Sequence, residues 1–172
     1  MICEKETFLA EFEDGIIRNI TAKQAFDEVS KGKSLNVHFM GIWKKVLGIT
    51  ENKDVTPVEI QFNKFTNPHT LSKDCGVITE VERPNIYSGT IPMKYKEVRN
   101  VCEIKHNDYI FLNKNPIWLE KFELEKSIVS KIKKLTKQTM YSIEIEPVES
   151  NRFTFDTTSL IELSDGLIVS GL

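Results

Sequence analysis

Apolar residues recur at every second position through much of the chain, and this alternation constrains its fold most. The stretch Leu35 to Met40, LNVHFM, alternates until Gly41 interrupts it, and Ser142 to Glu146, SIEIE, shows the cleanest alternation. In the segment Val55 to Phe62 the apolar side chains again fall on one face. A period of two is typical of strands with one buried face, and turn residues separate such segments roughly every 8 to 12 residues. The pattern predicts a mainly β domain of the sandwich or barrel-like class.

One short helix is predicted near residues 21–31. Thr21 and Gln24 form a capping box, in which the Thr hydroxyl and the Gln side chain satisfy each other's backbone N–H groups. Gly32 is suited to the position just after a helix ends. The apolar residues between these signals lie near helical spacing: Ala22, Ala25, Phe26 and Val29.

Further segments are assigned from local signals. Residues 80–95 contain Pro84, Gly89 and Pro92 and are predicted to form a long loop. The strands predicted here are Thr7 to Phe12, with the hairpin turn EDG at residues 13–15 and a return strand from Ile16, then Val77 to Thr79, and Tyr109 to Leu112.

The segment from Lys126 to Lys137 allows two interpretations. Its apolar residues could form one face of a helix, and they could equally belong to an exposed strand with solvated lysines. The apolar residues in question are Ile128, Val129, Ile132 and Leu135, and the lysines are Lys126, Lys131, Lys133, Lys134 and Lys137. As a charge run, the lysines are interpreted as a solvated face in preference to a nucleic-acid site.

Length and composition favour one folded domain that spans residues 1–172. The net charge of −2 provides no overall field that would collect nucleic acid or anionic lipid. The N-terminal residues do not form a signal peptide, and apolar runs are too short for a membrane span. Three widely spaced cysteines without a CxxC motif argue against a disulfide framework or a zinc ribbon and favour a reducing compartment.

Four stretches, taken in order, resemble the Hint family of inteins, hedgehog autoprocessing domains and bacterial intein-like domains. In the second stretch, GIWKKV at residues 41–46 is similar to the family's turn between two long strands. In the last, YSIEIE at 141–146 and DGLIV at 165–169 resemble its two closing strands. The stretches are Thr7 to Ile20, Leu35 to Ile49, Thr70 to Thr79 with Val101 to Leu112 after it, and the tail from Tyr141 to Leu172. The resemblance implies a compact antiparallel Hint fold with one short helix.

The family's chemistry needs a nucleophile at the first position, a His in a T-x-x-H block and a terminal His-Asn pair. The resemblance places Cys3 near the nucleophile position, although only Met1 and Ile2 precede it. Ser72 and Cys75 match the Thr and His of the block, and a neutral thiol is a poor replacement for an imidazole acid. A rival register, TNPH at residues 66–69, would make His69 the acid. We favour the Cys75 register, because GVIT at 76–79 follows it as in the family, and His69 is then expected on a surface turn.

The family's terminal His-Asn pair corresponds to Ser170-Gly171, which offers neither an imidazole nor an amide that can cyclise. The remaining histidines, His38 and His106, share no element with metal-ligand spacing, so no metal and no cofactor is predicted. We therefore expect no catalytic residue. If autoprocessing persists, its residues would be Cys3, Ser72, Cys75 and His69.

The expected function is that of a non-catalytic Hint-like domain that serves as a structural or protein-interaction module, in a phage or mobile-element assembly by analogy alone. Its partners would be proteins, including virion components or further copies of the chain, and its location cytoplasmic or virion-associated. A degenerate autoprocessing domain and a nucleic-acid-binding β domain are the alternatives; membrane partners are not expected, and nucleic acid is the less favoured partner.

Overall fold

A computed structural model describes residues 1–64, 67–85, 91–114, 123–148 and 153–171. Within these ranges the chain forms one α-helix, α1 (Ala22–Ser30), one 3-10 turn (Val101–Glu103) and fourteen strands. The strands are β1 (Ile2–Cys3), β2 (Thr7–Phe12), β3 (Ile17–Thr21), β4 (Leu35–Phe39), β5 (Ile42–Val55), β6 (Val58–Phe62), β7 (His69–Leu71), β8 (Gly76–Arg83), β9 (Met93–Asn100), β10 (Tyr109–Asn113), β11 (Leu124–Lys134), β12 (Gln138–Ile145), β13 (Leu160–Glu162) and β14 (Ile168–Ser170). The mainly β class predicted from the alternation is confirmed.

The helix begins as its capping box predicts. Thr21 Oγ1 accepts from the Gln24 N–H at 3.1 Å, and Gln24 Oε1 accepts from the Thr21 N–H at 2.9 Å. At the helix N-terminus four backbone N–H groups have no partner within the helix, and two of them are hydrogen-bonded by these side chains. Gly32 follows the helix with φ +84°, a left-handed conformation that favours glycine. The buried face of α1 includes Ala22 and Ala25, so the helix covers the sheet with its small side chains.

All strand pairs are antiparallel, and together they form one strongly curled sheet. The order is β13-β14-β8-β10-β11-β6-β7-β1-β12-β5-β4-β2-β3, with β9 attached to β8. The long strand β5 pairs with β4 through its first residues and with β12 through the rest, so it joins two parts of the sheet. The positive-φ pair Met40 and Gly41 forms the tight turn between β4 and β5.

Residues 80–95 were predicted to form a long loop, and this prediction is wrong. Strands β8 and β9 pair over eight residues, from Gly76 opposite Asn100 to Arg83 opposite Met93. Pro84 follows β8 and Pro92 precedes β9, so neither proline removes a donor from the ladder. The predicted turn residue Gly89 lies outside the described residues. The hairpin escaped detection because its outer parts carry charged residues in place of apolar alternation.

Two further assignments are changed by the structure. The segment from Lys126 onward is the strand β11, and the helical alternative is wrong because cross-strand pairing with β6 and β10 fixes it. The predicted single strand from Val55 to Phe62 is two strands, since β5 ends at Val55 and β6 begins at Val58. Pro57 lies between them and has no N–H to offer to a ladder.

Among the described residues, the core consists of two groups of buried side chains. The larger lies between the curled halves of the sheet and contains Phe8, Ile60, Leu71 and Tyr141, all at most 1% exposed. The smaller surrounds Phe39 and Phe111 on the other side of β8. Burying each large apolar side chain contributes about 1.5–3 kcal/mol. Such a core holds the chain's N-terminus and its closing strand in place without disulfides.

Candidate functional site at the junction of the chain ends

Strand β1 places the N-terminal residue beside the turn that precedes β8. Ile2 lies between Tyr141 of β12 and Leu71 of β7. The Met1 amino group donates to Ser72 Oγ at 3.0 Å, and the Ser72 N–H donates to the Met1 carbonyl at 3.0 Å. The first residue is thus fixed against Ser72 through two hydrogen bonds.

Cys75 and Ser170 complete this junction. The Cys75 N–H donates to the Ser72 carbonyl at 3.1 Å, which closes a turn between the two residues. The Cys75 thiol is fully buried, with Sγ 3.5 Å from the Ser170 carbonyl oxygen, while Ser170 Oγ accepts from the Gly76 N–H at 2.7 Å. Burial raises the pKa of the Cys75 thiol, against the opposing influence of the N-terminal ammonium group. The thiol is therefore neutral and only a weak donor.

Gly171 is held so closely that no side chain fits at its position. Its N–H donates to the Ser159 carbonyl at 2.9 Å, and its carbonyl accepts from the Ile143 N–H at 2.6 Å. A β-carbon on Gly171 would lie 2.4 Å from the Ile143 carbonyl oxygen. An asparagine at this position would require β12 or the tail to move.

Cys3 lies apart from the contacts that join Ser72, Cys75 and Ser170. It is opposite Met140 in the β1–β12 pair, is 8% exposed, and its Sγ lies 3.9 Å from Glu6 Oε1. Burial and then the Glu6 carboxylate raise the pKa of the Cys3 thiol. At Ser72 Oγ the hydrogen-bond donor is the Met1 amino group.

The expectation that His69 lies on a surface turn is wrong. His69 is 5% exposed on β7, where its Nδ1 lies 2.9 Å from Glu6 Oε2 and its Nε2 lies 2.9 Å from Asp165 Oδ2. Burial alone would lower the pKa of His69, but hydrogen bonds to Asp165 and Glu6 outweigh it and raise the pKa to about 9. The ring is therefore a buried cation between two carboxylates.

These three residues connect distant parts of the chain. Glu6 also accepts from the Thr70 N–H at 2.8 Å, which holds β7 against the turn after β1. Burial would raise the pKa of Asp165, but the hydrogen bond from His69 outweighs it and lowers the pKa. Asp165 belongs to the turn before β14. The Glu6–His69–Asp165 group therefore joins the turn after β1, strand β7 and the turn before the closing strand.

Two buried polar groups were not predicted from the sequence as parts of any site. Glu162 accepts from the Met40 N–H at 2.9 Å and from Asn113 Nδ2 at 2.7 Å, and His38 Nδ1 lies 3.3 Å away. Lys44 is fully buried, and its Nζ donates to the carbonyls of Thr157 and Leu160.

Lys44 Nζ also lies 4.5 Å from the ring centroid of Phe39, and burial lowers the pKa of Lys44 to about 8. The only sequence signal for this arrangement is that Lys44 falls on the buried face of an alternating strand. The contacts of His38 with Glu162 and of Lys44 with Thr157 join residues more than a hundred positions apart, which no local pattern identifies.

The lysine run of β11 is partly neutralised. Lys126 pairs with Glu80 and Lys133 lies opposite Glu59, while Lys131, Lys133 and Lys134 are exposed. Within the described ranges, no group of three or more His, Cys, Asp or Glu side chains is arranged to hold a metal ion. No helix in those ranges has the length and apolar character to cross a membrane.

A curled antiparallel sheet that brings the first residue and the closing strand together defines the Hint fold, the fold of inteins. The transcription factor IIB Mvu mini-intein superposes with a TM-score of 0.69 at 12% identity, covering 99% of both chains. The VidaL intein, as a selenomethionine variant, gives 0.67 at 8% identity over 98% of this chain and 94% of its own.

An intein from a hyperthermophile gives a TM-score of 0.67 at 10% identity over 98% of both chains. At such identities the likeness shows the fold, which was predicted from the resemblance and is confirmed. No family model and no curated protein matches the sequence.

Proposed function

We propose that this domain is a non-catalytic intein-like module that serves a structural or protein-interaction role. The observation that carries the proposal is the close approach of Gly171 to Ile143, which leaves no room for a side chain where cyclisation would need one. Cleavage at that end requires an amide that can attack its own backbone carbonyl, and glycine has none.

The other end of the junction supports the same proposal. An acyl shift needs a hydroxyl or thiol on the first residue and a group that protonates the leaving nitrogen. Cys3, the candidate nucleophile, is buried beside Glu6 with a raised pKa, and Cys75 offers a buried neutral thiol. The imidazole of His69 is engaged by Glu6 and Asp165.

The scaffold around the junction is nevertheless well anchored. Contacts through Gly171, Ser170 and the Glu6–His69–Asp165 group hold the closing turn and strand on the body of the fold. A scaffold anchored in this way, with the thiols of Cys3 and Cys75 buried and their pKa values raised, suits recognition of other proteins. The partners we propose are proteins, including virion components or further copies of the chain.

A degenerate autoprocessing domain is the second candidate, and the hydrogen bond from Met1 to Ser72 favours it. To separate the two, the chain is placed between two reporter proteins, and the intact mass is followed for a day with and without an added thiol. We expect only the full-length fusion. Free reporters or ligated reporters would overturn the proposal.

The matched variants of that fusion are Cys3→Ala and Cys75→Ala. If reporters are released, the variant that stops the release identifies the thiol involved. If the module is non-catalytic, each variant should give a single mass that differs from that of the parent fusion only by the replacement of cysteine with alanine.

A further inference from the structure

Strand β9 borders a groove along its free edge. The groove measures about 340 Å³ and is lined by Arg83, by four consecutive residues of β9 from Tyr95 to Val98, and by residues 154–156. Side chains of a strand alternate between its faces, so four consecutive lining residues mean that the strand's edge borders the groove. The groove therefore runs beside backbone groups and does not lie on one face alone.

That edge has unpaired hydrogen-bonding capacity. Among the described residues β9 pairs with β8 alone. In an antiparallel pair, alternate residues direct their N–H and C=O groups away from the partner strand. Such an edge accepts an added strand from another chain. Exposed apolar side chains also lie at this end of the hairpin, since Tyr95 and Met93 are each 42% exposed.

The charges along the groove indicate what the added strand should carry. Among the other charged residues that line the groove, Arg83 pairs with Glu97, and the Asp156 carboxylate accepts from the Thr158 N–H and hydroxyl. Lys96 lies opposite Glu80 on β8, but Glu80 pairs with Lys94 and Lys126. Lys96 forms no ion pair among the described residues, and its Nζ lies 4.8 Å from the Phe111 ring centroid. An acidic side chain opposite Lys96 would supply the missing countercharge.

The neighbouring position on the same face is apolar. Val98 lies two residues beyond Lys96 and packs, partly buried, against the smaller core group around Phe39 and Phe111. A residue opposite Val98 should therefore be β-branched or otherwise apolar. The combination is an extended segment with a carboxylate and an apolar side chain two positions apart.

We infer that the edge of β9 is a docking site for an extended acidic–apolar segment of a partner protein, which adds as a strand beside Tyr95 to Val98. This inference rests on the proposed interaction role and names its surface. A second copy of the chain fits less well. If its β9 paired antiparallel with this β9 about Tyr95 or Lys96, a lysine of one copy would lie opposite a lysine of the other.

The probe is a fluorescent peptide, Thr-Val-Thr-Asp-Thr-Val-Thr. Its Val and Asp side chains share one face, and because the sequence is the same in both directions, this face is the same in either strand orientation. Binding is measured by anisotropy on the full chain. We expect saturable binding, and Lys96→Glu should weaken it about tenfold, because attraction becomes repulsion. A peptide with Lys in place of Asp should bind Lys96→Glu better than the parent chain.

Lys131→Glu on β11 is the matched control, since it makes the same charge change at an exposed lysine elsewhere, and it should leave binding unchanged. A peptide N-methylated at every residue should not bind, because it cannot donate to the strand edge. Equal binding of the Asp and Lys peptides to the parent chain, or insensitivity to Lys96→Glu or N-methylation, would overturn the inference.

Sedimentation equilibrium provides a further arm. A concentration-dependent dimer whose association constant changes in Lys96→Glu would assign the edge to a second copy and would likewise overturn the peptide proposal. If the peptide measurements or the sedimentation result overturn the docking proposal, the reporter fusion still remains uncleaved. Failure of the non-catalytic role, in contrast, shows as released reporters, so the two results are distinguishable.

Discussion

The backbone N–H of Ile143 donates to the carbonyl of Gly171 at 2.6 Å, and the same pair forbids a side chain at residue 171. The closing tail is therefore fixed by backbone contact with β12. In this respect the end of the chain is a packed part of the fold.

Replacing Gly171 tests this contact. Gly171→Ala should lower the free energy of unfolding by about 1–3 kcal/mol, since the new methyl group forces β12 and the tail apart. Urea unfolding followed by fluorescence provides the measurement. Gly48→Ala in β5 is the matched control, because its β-carbon would meet no atom closer than 3.9 Å. Equal stability of the two variants would contradict the packing described for Gly171.

The buried cation at His69 predicts a pH dependence of stability. Its pKa is about 9 in the folded chain and about 6.5 when unfolded. The stabilisation is therefore complete below pH 6.5 and is lost as the pH rises toward 9, with a total on the order of 3 kcal/mol.

Urea unfolding from pH 6 to 8 measures this slope, and His69→Gln should abolish it while lowering stability at pH 6. His106→Gln is the control, because His106 is exposed. A slope that survives in His69→Gln would show that another group is responsible.

Lys44 predicts the opposite slope at higher pH. Its pKa is lowered to about 8 by burial, so the unfolded chain holds the proton more strongly between pH 8 and 10.5. The free energy of unfolding should therefore rise with pH over that interval, and this rise should be absent in Lys44→Met.

At neutral pH, Lys44→Met should destabilise the chain by about 1–3 kcal/mol, because the carbonyls of Thr157 and Leu160 lose their donor. Amide hydrogen exchange should show faster exchange around residues 157–160. Lys45→Met, at the exposed neighbouring position, should show neither effect. Unchanged exchange in Lys44→Met would refute the role assigned to Lys44.

The three thiols should differ in reactivity. Cys102 is exposed, whereas Cys3 and Cys75 are buried and have raised pKa values. Titration of the native chain with a chromogenic disulfide at pH 8 should give one fast thiol, and denaturant should expose the other two. Cys102→Ser should remove the fast reaction. A fast thiol remaining in that variant would show that the junction is open to solvent.

Much of the fold could be predicted because its signals are local. The capping box of Thr21 and Gln24 needs residues three apart, and the alternation in β4 and β12 needs only neighbouring positions. Ser72 and Cys75 were matched through the family resemblance alone, and the structure joins them in a single turn. The hairpin of β8 and β9 could not be predicted, because its charged residues hide the alternation.

The sequence by itself determined the strand character, the helix start and the amino acids available at the chain ends. The tertiary structure decided which residues meet there. His69 is a buried cation only because Glu6 and Asp165, 63 and 96 positions away, lie on elements that the curled sheet brings to it. Local patterns report backbone preference, whereas burial and charge pairing depend on the closing of the whole sheet.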